Sequence, residues 1–242
     1  MMKIEIDTHC HTIVSGHAYN TLREMVSMAA EKGLAGLAVT EHAPQMPGAA
    51  PLYYFQNFQV VPRSMCGIHL LLGAEVNITG RAGGLDLPEA TLKNLDLAIA
   101  SMHMPCFLEE RTIENVMEAY YAVMQNPYVD IIGHPDDGRF PADYEALAKE
   151  AKRTGTLLEV NNSSLRPEGF RVNTHENCKK MLEACKKEGT MIVWGSDAHV
   201  DVDIAEYPEA EELCRETGFP EELVANTSYE KLRSLLKHGK KV

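Results

Sequence analysis

The chain of 242 residues repeats one arrangement, in which an apolar run typical of a β-strand ends in histidines or carboxylates. These endings are Asp7-Thr8-His9-Cys10-His11, Thr40-Glu41-His42, Gly73-Ala74-Glu75, Ser101-Met102-His103, Gly133-His134-Pro135 and Gly195-Ser196-Asp197-Ala198-His199. In a parallel sheet closed into a barrel, the carboxyl ends of all strands meet at one face, so distant residues can share one site. Histidines and carboxylates are common metal ligands. The pattern therefore predicts a metal cluster and a metal-dependent hydrolase.

Strand and helix patterns alternate along the chain. Strands are predicted at residues 4–7, 34–40, 68–75, 95–101, 129–133, 156–161 and 191–196, and helices at 22–32, 113–124, 144–153 and 176–187. Units of about 35 residues are close to the roughly 30 residues per unit of a (β/α)8 barrel. We expect an α/β protein with a distorted, TIM-like (β/α)7 barrel, or a distorted eight-stranded one, as a single domain over residues 1–242.

Local signals support the helix predictions. Thr21 and Glu24 have the spacing of a capping box, and Gly33 follows the first predicted helix. The expected N-caps of the other three helices are Thr112, Asp143 and Thr174.

Composition is typical of a globular protein, with 45% hydrophobic and 24% charged residues and a net charge of −12. Apolar runs stay shorter than the roughly 20 residues that span a bilayer, and the N-terminus lacks a secretory apolar run. Six cysteines without a C-x-x-C pair fit reduced thiols. We therefore expect a cytoplasmic protein with no membrane segment. The acidity makes nucleic acid an unlikely partner, and assembly into a homo-oligomer stays open.

Side-chain alternation in a strand explains the spacing of the polar endings. Because positions i and i+2 share a face, two groups are aligned: Asp7, His9 and His11, and Asp197 with His199. Cys10 would point to the opposite face, so we do not expect it to bind metal. Imidazole suits zinc, manganese or iron, and Glu75 can bridge two ions. Asp7 either joins the ligands or orients a ligand histidine.

Seven of the ten histidines fall at or just beyond predicted strand ends, which a purely structural role does not explain. His69, His175 and His238 lie outside the pattern, and we expect them to be structural.

Residues 43–63, rich in aromatic side chains, form a loop after the second strand that either carries specificity or packs as an Ω-loop. The polar residues 159–164 either contact substrate or cap a turn.

The order of these motifs resembles the PHP (polymerase and histidinol phosphatase) family. The resemblance covers nearly the whole chain and includes His17 and the run Asn161-Asn162-Ser163. It is closest to the small stand-alone bacterial phosphatases of that family, which have a distorted seven-stranded barrel and a trinuclear metal centre, commonly zinc. The resemblance thus implies three divalent metal ions, with zinc expected and manganese or iron as alternatives.

The resemblance also implies three ligand sets, taken over position by position. They are His9, His11, Glu75 and Asp197 for the first ion, Glu75, His103 and His134 for the second, and His17, His42 and His199 for the third. Glu75 would bridge the first two ions. Every ligand position of the family is filled in this chain.

The implied activity is hydrolysis of a small phosphorylated metabolite, a phosphomonoester, by water that the ions activate near neutral pH. Three divalent ions would place about six positive charges at the site, which explains how an acidic chain accepts a dianionic substrate. We expect Glu75, Asp197 and His199 to be catalytic. Further candidates for phosphate contacts are the loop residues Arg139, Arg166 and Arg171.

Three other functions stay open at this point. A metal-dependent amidohydrolase shares the opening H-x-H pair and the late aspartate, and would cleave an amide but no phosphoester. A nuclease of the same family would release nucleotides from DNA ends. A non-catalytic metal-binding regulator would stay inert toward phosphoesters when fully metallated.

Overall fold

A barrel of parallel strands organises residues 2–237, the part of the chain that the computed structural model describes. The strands are β1 (Ile6–Asp7), β2 (Gly36–His42), β3 (Ser64–Met65), β4 (Ile68–Asn77), β5 (Leu97–Ser101), β6 (Ile131–Ile132), β7 (Leu157–Asn161) and β8 (Ile192–Gly195). Seven of them follow the order β1-β2-β4-β5-β6-β7-β8 with parallel pairing throughout, and β3 forms an antiparallel hairpin with β4. The predicted TIM-like (β/α)7 barrel is confirmed.

Backbone pairing beyond the ends of β1 and β8 nearly closes the barrel. The amide of His11 donates to the carbonyl of Ala198 at 2.9 Å, and the amide of Asp197 donates to the carbonyl of His9 at 2.9 Å. The carboxyl extensions of the first and last strands are thereby hydrogen-bonded to each other.

Cys10 Sγ donates to the Ala38 carbonyl, so this thiol is directed away from the clustered imidazoles.

Helices connect and surround the strands. They are α1 (Leu22–Glu31), α2 (Leu52–Gln56), α3 (Glu89–Leu92), α4 (Ile113–Met124), α5 (Tyr144–Thr154), α6 (Asn162–Leu165), α7 (Thr174–Glu188), α8 (Pro208–Thr217) and α9 (Tyr229–Leu235). The four predicted helices correspond to α1, α4, α5 and α7 within a few residues. Helices α2, α3, α6, α8 and α9 were not predicted.

Most of the predicted helix caps are confirmed. Thr21 and Glu24 form the capping box of α1, and the side chains of Thr112 and Asp143 accept from backbone amides at the starts of α4 and α5. The prediction of Thr174 as an N-cap is wrong, because Asn173 holds that position with φ of 54°. Asparagine tolerates this left-handed conformation better than a β-branched residue does.

Side chains on the strands divide into an inner and an outer apolar layer. On β2, Ala38 faces the inner layer while Leu37 and Val39 face the outer one, as the two-residue period of a strand requires. Leu232 of α9 packs against the inner layer. The amide of Tyr229 at the start of α9 binds Glu5, which precedes β1. Helix α9 therefore covers the amino end of the barrel, and the functional side chains lie at the carboxyl end.

None of the helices between residues 2 and 237 has the length and apolar character needed to cross a bilayer.

Candidate metal centre

All nine residues predicted as metal ligands meet at the carboxyl end of the barrel. They lie near or beyond the carboxyl ends of six strands: His9, His11 and His17 after β1, His42 at the end of β2, Glu75 in β4, His103 after β5, His134 after β6, and Asp197 and His199 after β8. Most of these side chains are buried, and His17 and His199 are the more exposed members. The parallel register brings residues from both ends of the chain into one cluster.

The first group of side chains surrounds the H-x-H pair. His9 Nε2 and His11 Nε2 lie 3.1 Å apart, and each is 3.5 Å from Glu75 Oε2. Asp197 Oδ1 completes the group at 3.5 Å from His9 Nε2 and 3.3 Å from His11 Nε2. Two nitrogens and two carboxylate oxygens therefore converge on one point, which is a donor set suited to a divalent ion.

Glu75 divides its two oxygens between this group and a second one. Glu75 Oε1 lies 2.9 Å from His134 Nε2 and 3.3 Å from His103 Nε2. The other oxygen, Oε2, faces the H-x-H pair. The two oxygens of one carboxylate therefore face two different groups of histidines.

The third group lies nearer the surface. His17 Nε2 and His199 Nε2 are 3.0 Å apart, and the His42 ring stacks 5.0 Å from the His17 ring, centroid to centroid. One compact triad that could hold an ion combines His42 and His199 with His11 instead of His17. His42 therefore stands between the outer group and the inner two.

The imidazoles direct Nε2 to the interior because their outer nitrogens are occupied. His9 Nδ1 is 2.7 Å from a Glu159 oxygen, and His103 Nδ1 is 2.7 Å from Asn77 Oδ1. His199 Nδ1 is 2.9 Å from the Asp197 carbonyl. Since these oxygens cannot donate, we assign the Nδ1 protons to the histidines, so each Nε2 is the nitrogen that faces the interior.

His11 is held in the same tautomer through a hydroxyl. Its Nδ1 lies 3.1 Å from Ser15 Oγ, and that hydroxyl donates to Glu41 Oε2 at 2.6 Å. The pairs His9–His11 and His17–His199 thus direct nitrogens at each other at 3.1 and 3.0 Å. Two lone pairs at such a distance would repel each other, and a cation between the rings, either a metal ion or a proton on one nitrogen, removes that repulsion.

A second observation tests the fit to metal ions. Glu75 Oε2 and His42 Nδ1 are buried and lie 2.7 Å apart, yet neither has a hydrogen-bond partner among the described residues. Buried polar atoms without partners are costly in a protein interior. A divalent cation would satisfy both atoms, so the residues present fit the metal ions that the sequence predicts.

Electrostatics favour positive charge in the inner groups. Burial alone would lower the pKa of His9, but the negative charges of Glu159, Asp197 and Glu75 raise that pKa well above its ordinary value. Burial would raise the pKa of Glu75, but the charges of neighbouring histidines, His103 foremost, hold it well below its usual range. The carboxylates are therefore ionised and ready to bind cations.

The pKa shifts in the opposite direction, downward, for the two histidines His11 and His17. Burial lowers the pKa of His11 well below its ordinary value and also lowers the pKa of His17, and the charges of His42 and His199 act in the same direction. Neutral imidazole is the form that binds metal. These two rings therefore need no large rearrangement of charge to become ligands.

A cavity of about 330 Å³ opens above the cluster. Asp197, His199 and Arg171 contribute to its wall, and the exposed ring of Phe170 stands at its edge. The Arg171 side chain is 8% exposed, and its guanidinium donates to Asp197 Oδ2 at 3.2 and 3.3 Å. The cavity can admit a small substrate beside a buried guanidinium.

The other two candidate arginines differ in position. Arg166 lines the cavity and binds Asp203 at 2.9 Å. Arg139 binds Asp137 and lies over the Phe170 ring at 4.9 Å. Arg171 is thus the candidate that contacts both the cavity and a predicted ligand.

Several residues supporting the ligands were not predicted in that role. Glu159, Ser15 and Asn77 each bind the outer nitrogen of a ligand histidine. Asp7, expected as a ligand or a histidine-orienting residue, instead accepts from the backbone amides of Ser196, His9 and Ala205. For Glu159 and Asp7, the sequence signal that could have indicated a supporting role was a carboxylate within an otherwise apolar strand.

The remaining sequence predictions have mixed outcomes. His69 stacks on Tyr229 near the opposite end of the barrel, which fits a structural role. His238 lies outside the described residues. In the loop after β2, Phe55 and Phe58 are buried and packed together, whereas Met46 lines the cavity.

The polar run at the end of β7 caps a turn, as one of its two expected roles requires, and it also reaches the cavity. Asn161 accepts from the amide of Ser164 and so caps α6, while Asn162 accepts from the amides of Glu209 and Ala210. Ser163 lines the cavity.

Comparisons with known proteins find a matching family model and related chains. A family model described as PHP domain matches residues 7–165. A protein of Acetivibrio thermocellus named "Probable phosphatase" is 43% identical over 239 residues, covering 99% of this chain and 98% of the relative. A protein of Clostridium novyi with the same description is 44% identical over 236 residues, covering 98% and 96%.

A solved structure shares the fold. Histidinol phosphate phosphatase from Lactococcus lactis, complexed with zinc, L-histidinol and phosphate, superimposes with a TM-score of 0.63. The two chains are 21% identical, and the match covers 89% of this chain and 94% of that one.

Proposed function

Because this chain belongs to the PHP domain family, we propose that it is a metal-dependent phosphatase that hydrolyses a small phosphomonoester at a centre of three divalent ions. The observation that carries the proposal is the convergence of inward-facing imidazole nitrogens and carboxylate oxygens beneath an open cavity. The names of the two relatives and the phosphate in the structural neighbour support the same chemistry.

We assign the ligands in three sets. His9, His11, Glu75 and Asp197 would hold the first ion, Glu75, His103 and His134 the second, and His17, His42 and His199 the third. Zinc suits these nitrogen and oxygen donors, and manganese and iron suit them as well. The zinc in the structural neighbour supports the first choice.

When bound, the ions would lower the pKa of water and neutralise phosphate oxygens. The chain's own residues set the geometry of this reaction. Glu75 spaces the two inner positions by presenting one oxygen to each. Asp197 and His199 border the cavity and would touch the reacting phosphoryl group. Together with Glu75, they are our three catalytic candidates.

Arg171 would contribute to substrate binding. Its guanidinium is buried at the cavity wall, and its Nε has no hydrogen-bond partner among the described residues. Guanidinium groups bind phosphate strongly through paired N–H donors. A cavity of about 330 Å³ admits a compact ester, which is why we propose a small metabolite as substrate.

The test is release of inorganic phosphate from an aryl phosphate by protein stripped with a chelator and then reconstituted separately with zinc and with manganese. We expect no release from the stripped protein and restored release with at least one metal. Parallel assays with an aryl amide and with DNA ends distinguish an amidohydrolase and a nuclease. A fully metallated protein that is inert toward a broad panel of phosphomonoesters would contradict the proposal.

A further inference from the structure

Glu159 of β7 lies directly behind the ligand cluster although it is not itself one of the proposed ligands. Its side chain is fully buried. The carboxylate contacts His9 with one oxygen and the backbone of His134 with the other. These two histidines belong to different proposed metal positions.

We propose that Glu159 is a positioning residue that couples the first and second metal sites, so that its loss weakens both while sparing the third. This inference rests on the proposed metal-dependent phosphatase. Three independent contacts and one steric observation support it.

The contact with His9 sets the ring that opens the H-x-H pair. Glu159 Oε1 lies 2.7 Å from His9 Nδ1 and accepts its proton, which leaves His9 Nε2 as the inward-facing atom. A carboxylate behind a ligand imidazole holds the ring orientation and increases its basicity. Without this acceptor, the ring can rotate or change tautomer.

The contact with His134 stabilises an unusual backbone. His134 has φ of 31°, a positive value that is uncommon for a non-glycine residue. Its backbone amide donates to Glu159 Oε2 at 2.8 Å. The same carboxylate therefore holds the conformation that directs His134 Nε2 to Glu75 Oε1.

A third contact reaches Asp197 through an amide. Asn161 Nδ2 donates to Glu159 Oε2 at 3.1 Å and to Asp197 Oδ2 at 3.2 Å. The other end of Asn161 is held at the start of α6, where its Oδ1 accepts from Ser164. Glu159 is thus linked to a second ligand of the first ion.

Gly195 makes room for this carboxylate at the end of β8. A Cβ atom at Gly195 would lie 2.1 Å from Glu159 Oε1, 3.1 Å from Glu159 Cδ and 2.9 Å from His9 Cβ. The Glu159 side chain is buried and hydrogen-bonded, so it could not move aside without leaving His9. Alanine at position 195 would therefore disturb the same contact from the opposite side, with Glu159 itself unchanged.

The experiment measures zinc affinities by competition with a chromophoric chelator and zinc content by mass spectrometry. The variants are Glu159→Gln, Gly195→Ala and the double variant. The matched control is Asp96→Asn, which removes a buried carboxylate near the amino ends of β4 and β5 that accepts from the Leu72 amide and pairs with Arg63. Thermal unfolding of the metal-free proteins reports stability separately.

For Glu159→Gln and Gly195→Ala, we expect two zinc ions to bind about 10- to 100-fold more weakly than in the unaltered protein, with the third affinity unchanged. The double variant should bind zinc no more weakly than the more impaired of the two single variants, because both changes disturb one contact. Asp96→Asn should lose stability but keep all three affinities.

The inference is overturned if both single variants keep all three affinities, if all three sites weaken equally, or if Asp96→Asn weakens zinc binding as much. The unaltered protein provides the separate test of the proposed function. If it binds no zinc and releases no phosphate, the phosphatase proposal fails. If it does both while the Glu159 variant binds zinc normally, only the coupling fails.

Discussion

Arg171 Nη2 donates to Asp197 Oδ2 at 3.2 Å, while the other oxygen of that carboxylate, Oδ1, lies 3.3 Å from His11 Nε2. One carboxylate is therefore held by a buried guanidinium on one side and faces the proposed first ion on the other. Burial would raise the pKa of Asp197, but the charges of nearby histidines, His9 foremost, and the charge of Arg171 hold that pKa well below its usual range.

Replacing the guanidinium should impair turnover. For Arg171→Met we expect kcat/KM for an aryl phosphate to fall about 10- to 100-fold, because Asp197 loses the group that orients it and the substrate loses a cation. Steady-state kinetics of the zinc-reconstituted protein measure this. The control is Arg153→Met, since Arg153 is exposed and paired with Glu150 away from the site. Equal kinetics for the two variants would argue against a role for Arg171.

Removing one ligand of the second ion should abolish most activity without unfolding the protein. His134→Ala takes away the nitrogen that lies 2.9 Å from Glu75 Oε1. We expect turnover to fall at least about 100-fold, or ~2.7 kcal/mol in the activation barrier, with an unchanged circular dichroism spectrum. Near-normal turnover with full metal occupancy would show that His134 is not a required ligand.

A helix cap gives a prediction that is independent of the metal centre. Asp143 accepts from the amide of Ala146 at 3.1 Å at the start of α5. Asp143→Ala should cost about 1 kcal/mol of unfolding free energy, or roughly 2–4 °C in Tm, with kcat unchanged. Asp143→Asn retains an acceptor and should lose less. Calorimetry of both variants is the measurement, and equal losses would mean that the cap does not contribute.

Stability should also depend on pH through Lys237. Burial lowers the pKa of this amine to about 8, against the opposing charge of Asp130. The unfolded chain has a lysine pKa of about 10.4, so between roughly pH 8 and 10 it binds more protons than the folded protein, and stability rises with pH. Urea unfolding of metal-free protein should show this rise in the unaltered chain but a smaller one in Lys237→Met. The same rise in both proteins would exclude Lys237 as its source.

Much of the barrel could be predicted because apolar runs and helical patterns are local properties of the sequence. The closure of the barrel could not be predicted in this way. Asn226 Nδ2 donates to the carbonyls of Ile6 and Trp194 at 2.9 and 2.8 Å, which ties the first strand to the last through a side chain far along the chain. No local pattern reports such a contact, and the same holds for the position of α9 beneath the barrel.

The proposed ligands could be located from sequence because each lies near or beyond the carboxyl end of a strand, and parallel strands carry these ends to one face. The residues that hold these ligands in place could not be located from the sequence. Glu159 lies two residues before Asn161 on an apolar strand, and its sequence position does not reveal that it faces His9 from across the barrel. Such a role depends on three-dimensional neighbours rather than on spacing.

Zinc titration with phosphate release as the readout tests the central claim most directly. Chelator-stripped protein would receive increasing equivalents of zinc, with bound metal counted by mass spectrometry at each step and hydrolysis of an aryl phosphate measured in parallel. Our account predicts that activity rises with occupancy and reaches its plateau at three ions per chain. A plateau at one ion, or full occupancy without phosphate release, would contradict it.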